Sequence, residues 1–185
     1  FEPIEPEVGT LIMRLHTNQE DAYLDFVYTI SEDDYMVRMA IQPHNMQSVL
    51  AQNVNSLEMH WQQLIPQQER GRKFEERYAQ LQYMLFDGDM EKLSESKHDS
   101  KKENAKVRWI GYKDQFFSTV MIADDAFTSS MFESTPQDKH SRYIKEYSTT
   151  TGVAFDVTGQ KETAFRYFFG PNHYNTLKAY DKDVD

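Results

Sequence analysis

Residues 22–41 read AYLDFVYTISEDDYMVRMAI, and their alternation decides the fold. Leu24, Phe26, Tyr28 and Ile30 fall on one face of an extended chain and Asp25 on the other, the period-two signature of a half-buried strand. Ser31 to Asp34 is a polar break, after which Tyr35, Val37, Met39 and Ile41 resume the alternation. The stretch predicts an antiparallel hairpin with a longer loop, stopped by Pro43.

The same pattern extends outward in both directions. Val8 to His16 alternates before it, and Leu57, Met59 and Trp61 after it. Leu81, Tyr83 and Leu85 follow, ending at the turn dipeptide Asp87-Gly88. Val107 to Gly111, Gln115 to Ile122, Arg142 to Ser148, Gly152 to Val157 and Thr163 to Phe169 complete the set. Roughly ten short strands with little helix predict an all-β antiparallel sandwich. Two short helices are expected. One runs from Gln67 to Tyr78 behind Pro66, with Glu69 facing Lys73 and Arg72 facing Glu76 at i,i+4 spacing. The other runs from Asn172 to Tyr180, capped by Asn172, with Tyr174, Leu177 and Tyr180 on one face. The stretch Asp87 to Lys106, dense in mixed charge, reads as a solvated mobile loop.

Composition bounds the function. The chain has 185 residues and a mass of 21.8 kDa, which suits one core over residues 1–185. Lys plus Arg number 20 against 30 Asp plus Glu, a net charge of −10, which argues against nucleic acid and anionic bilayer surfaces as main partners. Hydrophobic residues at 39% and aromatics at 14% exclude disorder. The absence of cysteine removes disulfides, thiolate metal sites and thiol nucleophiles. The longest apolar stretch, Phe116 to Ala123, is far short of the about 20 residues that span a bilayer. A start at Phe1 without a leader reads as a segment of a longer chain.

No arrangement of residues predicts catalysis, a metal or a cofactor. The histidines at 16, 44, 60, 98, 140 and 173 lack ligand spacing. Asp87, Asp89 and Glu91 open like a calcium loop, but Lys92 stands where that loop needs glycine and His98 where it needs glutamate. Nucleophile elbows, dinucleotide fingerprints and Walker loops are missing. Asp124-Asp125 reads as a polar strand end rather than an acid pair, because adjacent residues point to opposite faces. Trp61, Trp109, Tyr112, Phe116 and Phe117 suit either a ligand groove or the core.

Three strings read together go further: PQQERGRKFEERY from Pro66, WIGYKDQFFSTVMIA from Trp109 and YFFGPNHYNTLKAYD from Tyr167. In content, order and spacing each resembles the periplasmic domain of the YidC membrane protein insertases of Bacteroidetes. The third string is the most specific, with Phe169, Gly170 and Pro171 in the place where that family's FGP turn ends its last strand. The resemblance implies a twisted β-supersandwich related to galactose mutarotase, on the periplasmic side of the inner membrane. It also implies that the family's opening strands and the flanking membrane helices lie outside this chain. The function implied is non-enzymatic assistance to the insertion and folding of inner-membrane proteins, with nascent membrane proteins and Sec translocon components as partners. A free carbohydrate-binding or mutarotase-like sandwich is the alternative, although shared fold does not transmit activity.

Two surfaces are expected to matter. The helix after Pro171 should dock on the sandwich through Tyr174, Leu177 and Tyr180. It should not lie on a membrane, since Asp181, Asp183 and Asp185 offset Lys178 and Lys182. A partner surface is expected where Trp109, Tyr112, Phe116 and Phe117 emerge.

Overall fold

The computed structural model of the chain describes residues 1–181. Twelve strands and two short helices follow in the order β1 (Glu2–Glu7), β2 (Thr10–His16), β3 (Tyr23–Ile30), β4 (Met36–His44), β5 (Ser56–Pro66), α1 (Arg72–Tyr78), β6 (Gln80–Leu85), β7 (Met90–Lys92), β8 (Asp99–Glu103), β9 (Val107–Lys113), β10 (Phe117–Pro136), β11 (Tyr143–Ala154), β12 (Thr163–Pro171) and α2 (Tyr174–Asp181). Every pairing among them is antiparallel.

Strand β10 makes the sandwich. Its first part, Phe117 to Ala123, lies between β12 and β9 in a long sheet ordered β1-β2-β3-β4-β12-β10-β9-β6-β7. Its second part pairs with β8 and β11, and β11 carries β5. The ladder with β9 slips between Ile122 and Phe127, and the ladder with β11 slips between Thr128 and Met131. Such irregularities bend a strand, and here they let one 20-residue strand serve both layers.

The two layers close over an aromatic core. Trp61 of β5 stacks on Tyr112 of β9 at 3.8 Å, and Tyr83 of β6 stacks on Phe132 of β10 at 4.1 Å. The Tyr112 hydroxyl lies 2.7 Å from Thr149 Oγ1 and 3.0 Å from the Trp61 carbonyl, so the one polar atom of this buried ring is satisfied across the layers. Burial pushes the Tyr112 and Tyr147 phenols well up and the Tyr167 phenol to about 12.

The hairpin of residues 22–41 forms as the sequence predicts, with Phe26 opposite Ile41 and Tyr28 opposite Met39, but Pro43 does not stop it, since β4 runs on to His44 with Pro43 opposite Leu24. Four other expectations are corrected. The loop from Asp87 to Lys106 contains β7 and β8; β8 is an edge strand on β10, and an edge tolerates charged side chains on its open flank. The segments Arg142 to Ser148 and Gly152 to Val157 form a single strand, β11. The first helix begins at Arg72, not Gln67, because Glu75 is buried and its carboxylate accepts the Gln68 and Glu69 backbone N–H groups, 2.8 and 2.9 Å away, holding that segment outside the helix. Asn172 does not cap the second helix. Its carboxamide donates to the carbonyls of Asp114 and Phe117, and the first intrahelical bond runs from Leu177 N to His173 O. The expected charge balance at Lys182, Asp183 and Asp185 falls outside the described residues.

Candidate functional site

The register of the long sheet sorts its residues onto two faces. Tyr112, Thr119, Met121 and Tyr167 point inward, while Trp109, Gly111, Val120, Ile122 and Phe168 point outward. Phe168 alternates with Tyr167 and Phe169 in the string YFFGP, so it faces away from the core, yet it is only 3% exposed. The cover is α2. Tyr180 packs edge-on against the Phe168 ring at 5.2 Å, and Tyr35 does so from the β3–β4 loop at 6.1 Å.

Polar contacts fix that arrangement. The Tyr180 hydroxyl donates to Asp34 Oδ1 at 2.5 Å and accepts the Tyr35 backbone N–H at 3.1 Å, while Phe169 N donates to Tyr35 O at 2.9 Å. The SEDDY loop thus clamps both the last strand and the last helix. Gly170 has a steric role in this clamp. A Cβ there would stand 2.8 Å from Phe168 Cε2 and closer still to Cζ, so the far edge of the ring occupies the space a side chain would need. Pro171 closes β12 opposite Phe117, and Asn172 N donates to Phe116 O at 2.7 Å. The Ser118 hydroxyl donates to the Asn172 carboxamide oxygen. The FGP string therefore turns the chain off the sheet under tight backbone control.

Of the three residues expected to dock α2, the structure brings only Tyr180 down onto the sandwich. Tyr174 is 71% exposed and Leu177 is 38% exposed, so the helix stands off the sheet at its first turns, and docking through that face is corrected to docking through its end. Of the four residues expected at a partner surface, Tyr112 is corrected outright. It is 1% exposed because it pairs with Thr119 on the inner face beneath Trp61. Trp109 lies on the opposite, outer face, its ring over Gly111. Phe116 and Phe117 are exposed at the β9–β10 turn, joined by exposed Phe169, which stacks on Tyr167. Phe168, Asp34 and Tyr35 were missed as a group. The alternation of YFFGP could have revealed Phe168 as an outward aromatic needing a cover.

The other resembling string packs against β11 and the segment that leads into it. From α1, Arg72 donates to the carbonyls of Ser141, Gln137 and Tyr143 and pairs with Glu76 at 2.8 Å. Lys145, 1% exposed, donates to the Glu76 and Ala79 carbonyls at the C-terminal end of α1, where a cation meets the negative pole of the helix. Burial pulls its ammonium down to about 8, with the Glu95 and Glu76 carboxylates pulling back. Asp124 and Asp125 sit inside β10 rather than at a strand end, a further correction. Each has its own cation: Arg166 lies 3.2 Å from Asp124, and Lys161 lies 2.8 Å from Asp125. The Lys161 hydrogen bond holds the Asp125 carboxyl below its usual range. These pairings give the two acids separate cations as partners. Among the described residues no cluster of three or more His, Asp or Glu side chains could hold a metal, and no helix is long and apolar enough to cross a membrane.

Comparison with known proteins places this geometry. The family model described as the YidC periplasmic domain matches residues 4–185. A membrane protein insertase YidC from Azobacteroides pseudotrichonymphae is 43% identical over 182 residues, covering 98% of this chain and 29% of the relative. The YidC of Parabacteroides distasonis is 43% identical over 185 residues, covering 100% of this chain and 29% of the relative. That of Porphyromonas gingivalis is 32% identical over the same length and shares. The chain spans 29% of the length of these relatives, and it belongs to the YidC periplasmic domain family.

Proposed function

We propose that this chain serves a membrane protein insertase as a non-enzymatic interaction domain on the periplasmic side of the inner membrane. There it assists the insertion and folding of inner-membrane proteins, engaging nascent chains and components of the Sec translocon. The observation that carries the reading is the match along the whole chain to proteins named as insertases, at 43% identity in two of them. The surface is consistent with binding rather than chemistry. Its carboxylate pair is neutralised by separate cations, its aromatic residues Phe116, Phe117 and Phe169 are exposed at one end of the long sheet, and its last helix is clamped to the β3–β4 loop. Exposed aromatics grouped at one end of neighbouring strands are the kind of anchor that transient partners use.

The test is co-purification of translocon components with an intact insertase carrying Phe117→Ser and Phe169→Ser. Partner recovery should fall severalfold while the domain keeps its thermal transition. Undiminished recovery with a folded domain refutes the placement of the partner surface. Saturable turnover of a sugar by the isolated chain would refute the non-enzymatic reading.

A further inference from the structure

The stand-off of α2 leaves a groove of about 590 Å³ between the helix and the outer face of the long sheet, a volume within the range of small-molecule sites. Its floor is apolar and ordered in rows by the register. Lys113 and Ser118 form the row nearest the β9–β10 turn, followed by Gly111, Val120 and Phe168, then Trp109 and Ile122. Its wall is the face of α2 bearing Tyr174 and Leu177, which accounts for the exposure of those two residues. Among the described residues the charged side chains that line it are Lys113 and Lys178, and neither takes part in an ion pair there. In a chain of net charge −10, a groove whose described charged groups are both cations favours an anion.

We propose that this groove takes one acyl chain of an anionic membrane lipid, with the tail on Val120, Ile122, Trp109 and Phe168 and the head group between Lys113 and Lys178. Polypeptide is the poorer fit. The floor strands β6, β9, β10 and β12 each have a paired strand on both sides, so their backbone groups are engaged. An extended peptide laid on them would bury its own N–H and C=O groups without partners. An acyl chain has no such groups to satisfy, and its burial gains from apolar area alone. The inference concerns this groove and holds whether or not the insertase reading does.

The chain has two tryptophans, one in the groove and one stacked in the core, which gives the experiment an internal control. In a Trp61→Phe variant, 9,10-dibromostearate below its micellar concentration should quench Trp109 emission saturably. In a Trp109→Phe variant, the remaining Trp61 should be spared. Combining Lys113→Glu with Lys178→Glu should weaken binding of the acid about tenfold, and less at high salt, while leaving the methyl ester of the same lipid unaffected. If Trp61→Phe does not fold, the unmodified chain should still show partial saturable quenching, and Val120→Phe, which fills the floor, should lower affinity for acid and ester together. Absence of saturable quenching, equal quenching of both indoles, or identical behaviour of acid and ester in the charge-reversed variant overturns the assignment. A saturable Trp109 response to an apolar decapeptide with an acidic end, and none to the acid, also overturns it and gives the groove to polypeptide.

Discussion

Gly170→Ala isolates the clamp that orients the last helix. A Cβ at this position would stand 2.8 Å from Phe168 Cε2 and nearer to Cζ, against a comfortable carbon separation of about 3.5–4.0 Å. The ring must therefore move by about 1 Å, and it has nowhere free to go, being 3% exposed and held by Tyr35 and Tyr180. Overpacking of this kind costs about 1–3 kcal/mol, and weakening the Phe168–Tyr180 ring contact adds about 0.5–1.5 kcal/mol. Working the other way, Gly→Ala at an unstrained site gains about 0.4–1 kcal/mol through the unfolded chain, and Gly170 does not have a positive φ. The steric cost wins, and the variant should lose about 2 kcal/mol, within a range of about 0.5–4 kcal/mol. Urea unfolding of the purified chain measures this loss. Repeating the substitution in a Phe168→Leu background separates ring clash from backbone effects, because the clash is removed and the cost should nearly vanish, leaving a coupling of about 1 kcal/mol or more. An unchanged cost in both backgrounds would refute the role given to the ring.

Three further outcomes are expected. Lys145, held near 8 in the folded chain against about 10.4 when free, stays protonated longer in the unfolded state. The unfolded chain thus binds more protons between about pH 8 and 10.4, and stability should rise with pH across that window; Lys145→Met should flatten the rise in denaturation midpoint. Arg72→Ala removes donors to three carbonyls of the residue 137–143 segment and should cost about 2–4 kcal/mol, with faster protease cleavage in that segment; Arg72→Lys should restore little. Tyr112→Phe should cost about 1–2 kcal/mol in urea unfolding, because Trp61 O and Thr149 Oγ1 lose their shared hydroxyl.

Much of the fold was legible because its strands are half buried. Leu24, Phe26, Tyr28 and Ile30 do share a face, and Asp25 does point away, where Arg14 takes it in a two-pronged pair. Period-two alternation fails where burial does not drive it. Asp99 to Glu103 forms β8 through edge pairing of a charged segment, which no hydrophobic pattern announces. Alternation also says that neighbouring residues face opposite ways without saying which way is in. Tyr112 and Trp109 both looked available for a partner, and only the register against Met121 and Ile122 separates core from outer face. The clamp at Tyr180 was half legible, as a helical face, but its acceptor Asp34 lies 146 residues away in sequence in a loop that reads only as a polar break. The start of the first helix was hidden for a related reason: Glu75 looks like a surface helix residue until the backbone of Gln68 and Glu69 turns up as its partner.

The proposed role of this domain, assisting insertion by engaging partners, is tested most directly in reconstituted membranes. The measurement is the initial rate at which a simple single-span substrate enters proteoliposomes containing the intact insertase, compared with one in which this segment is replaced by a flexible linker. A rate retained within about twofold, a difference of under 0.5 kcal/mol in the barrier, is the predicted result. A rate abolished while the remaining membrane-embedded part stays folded contradicts it.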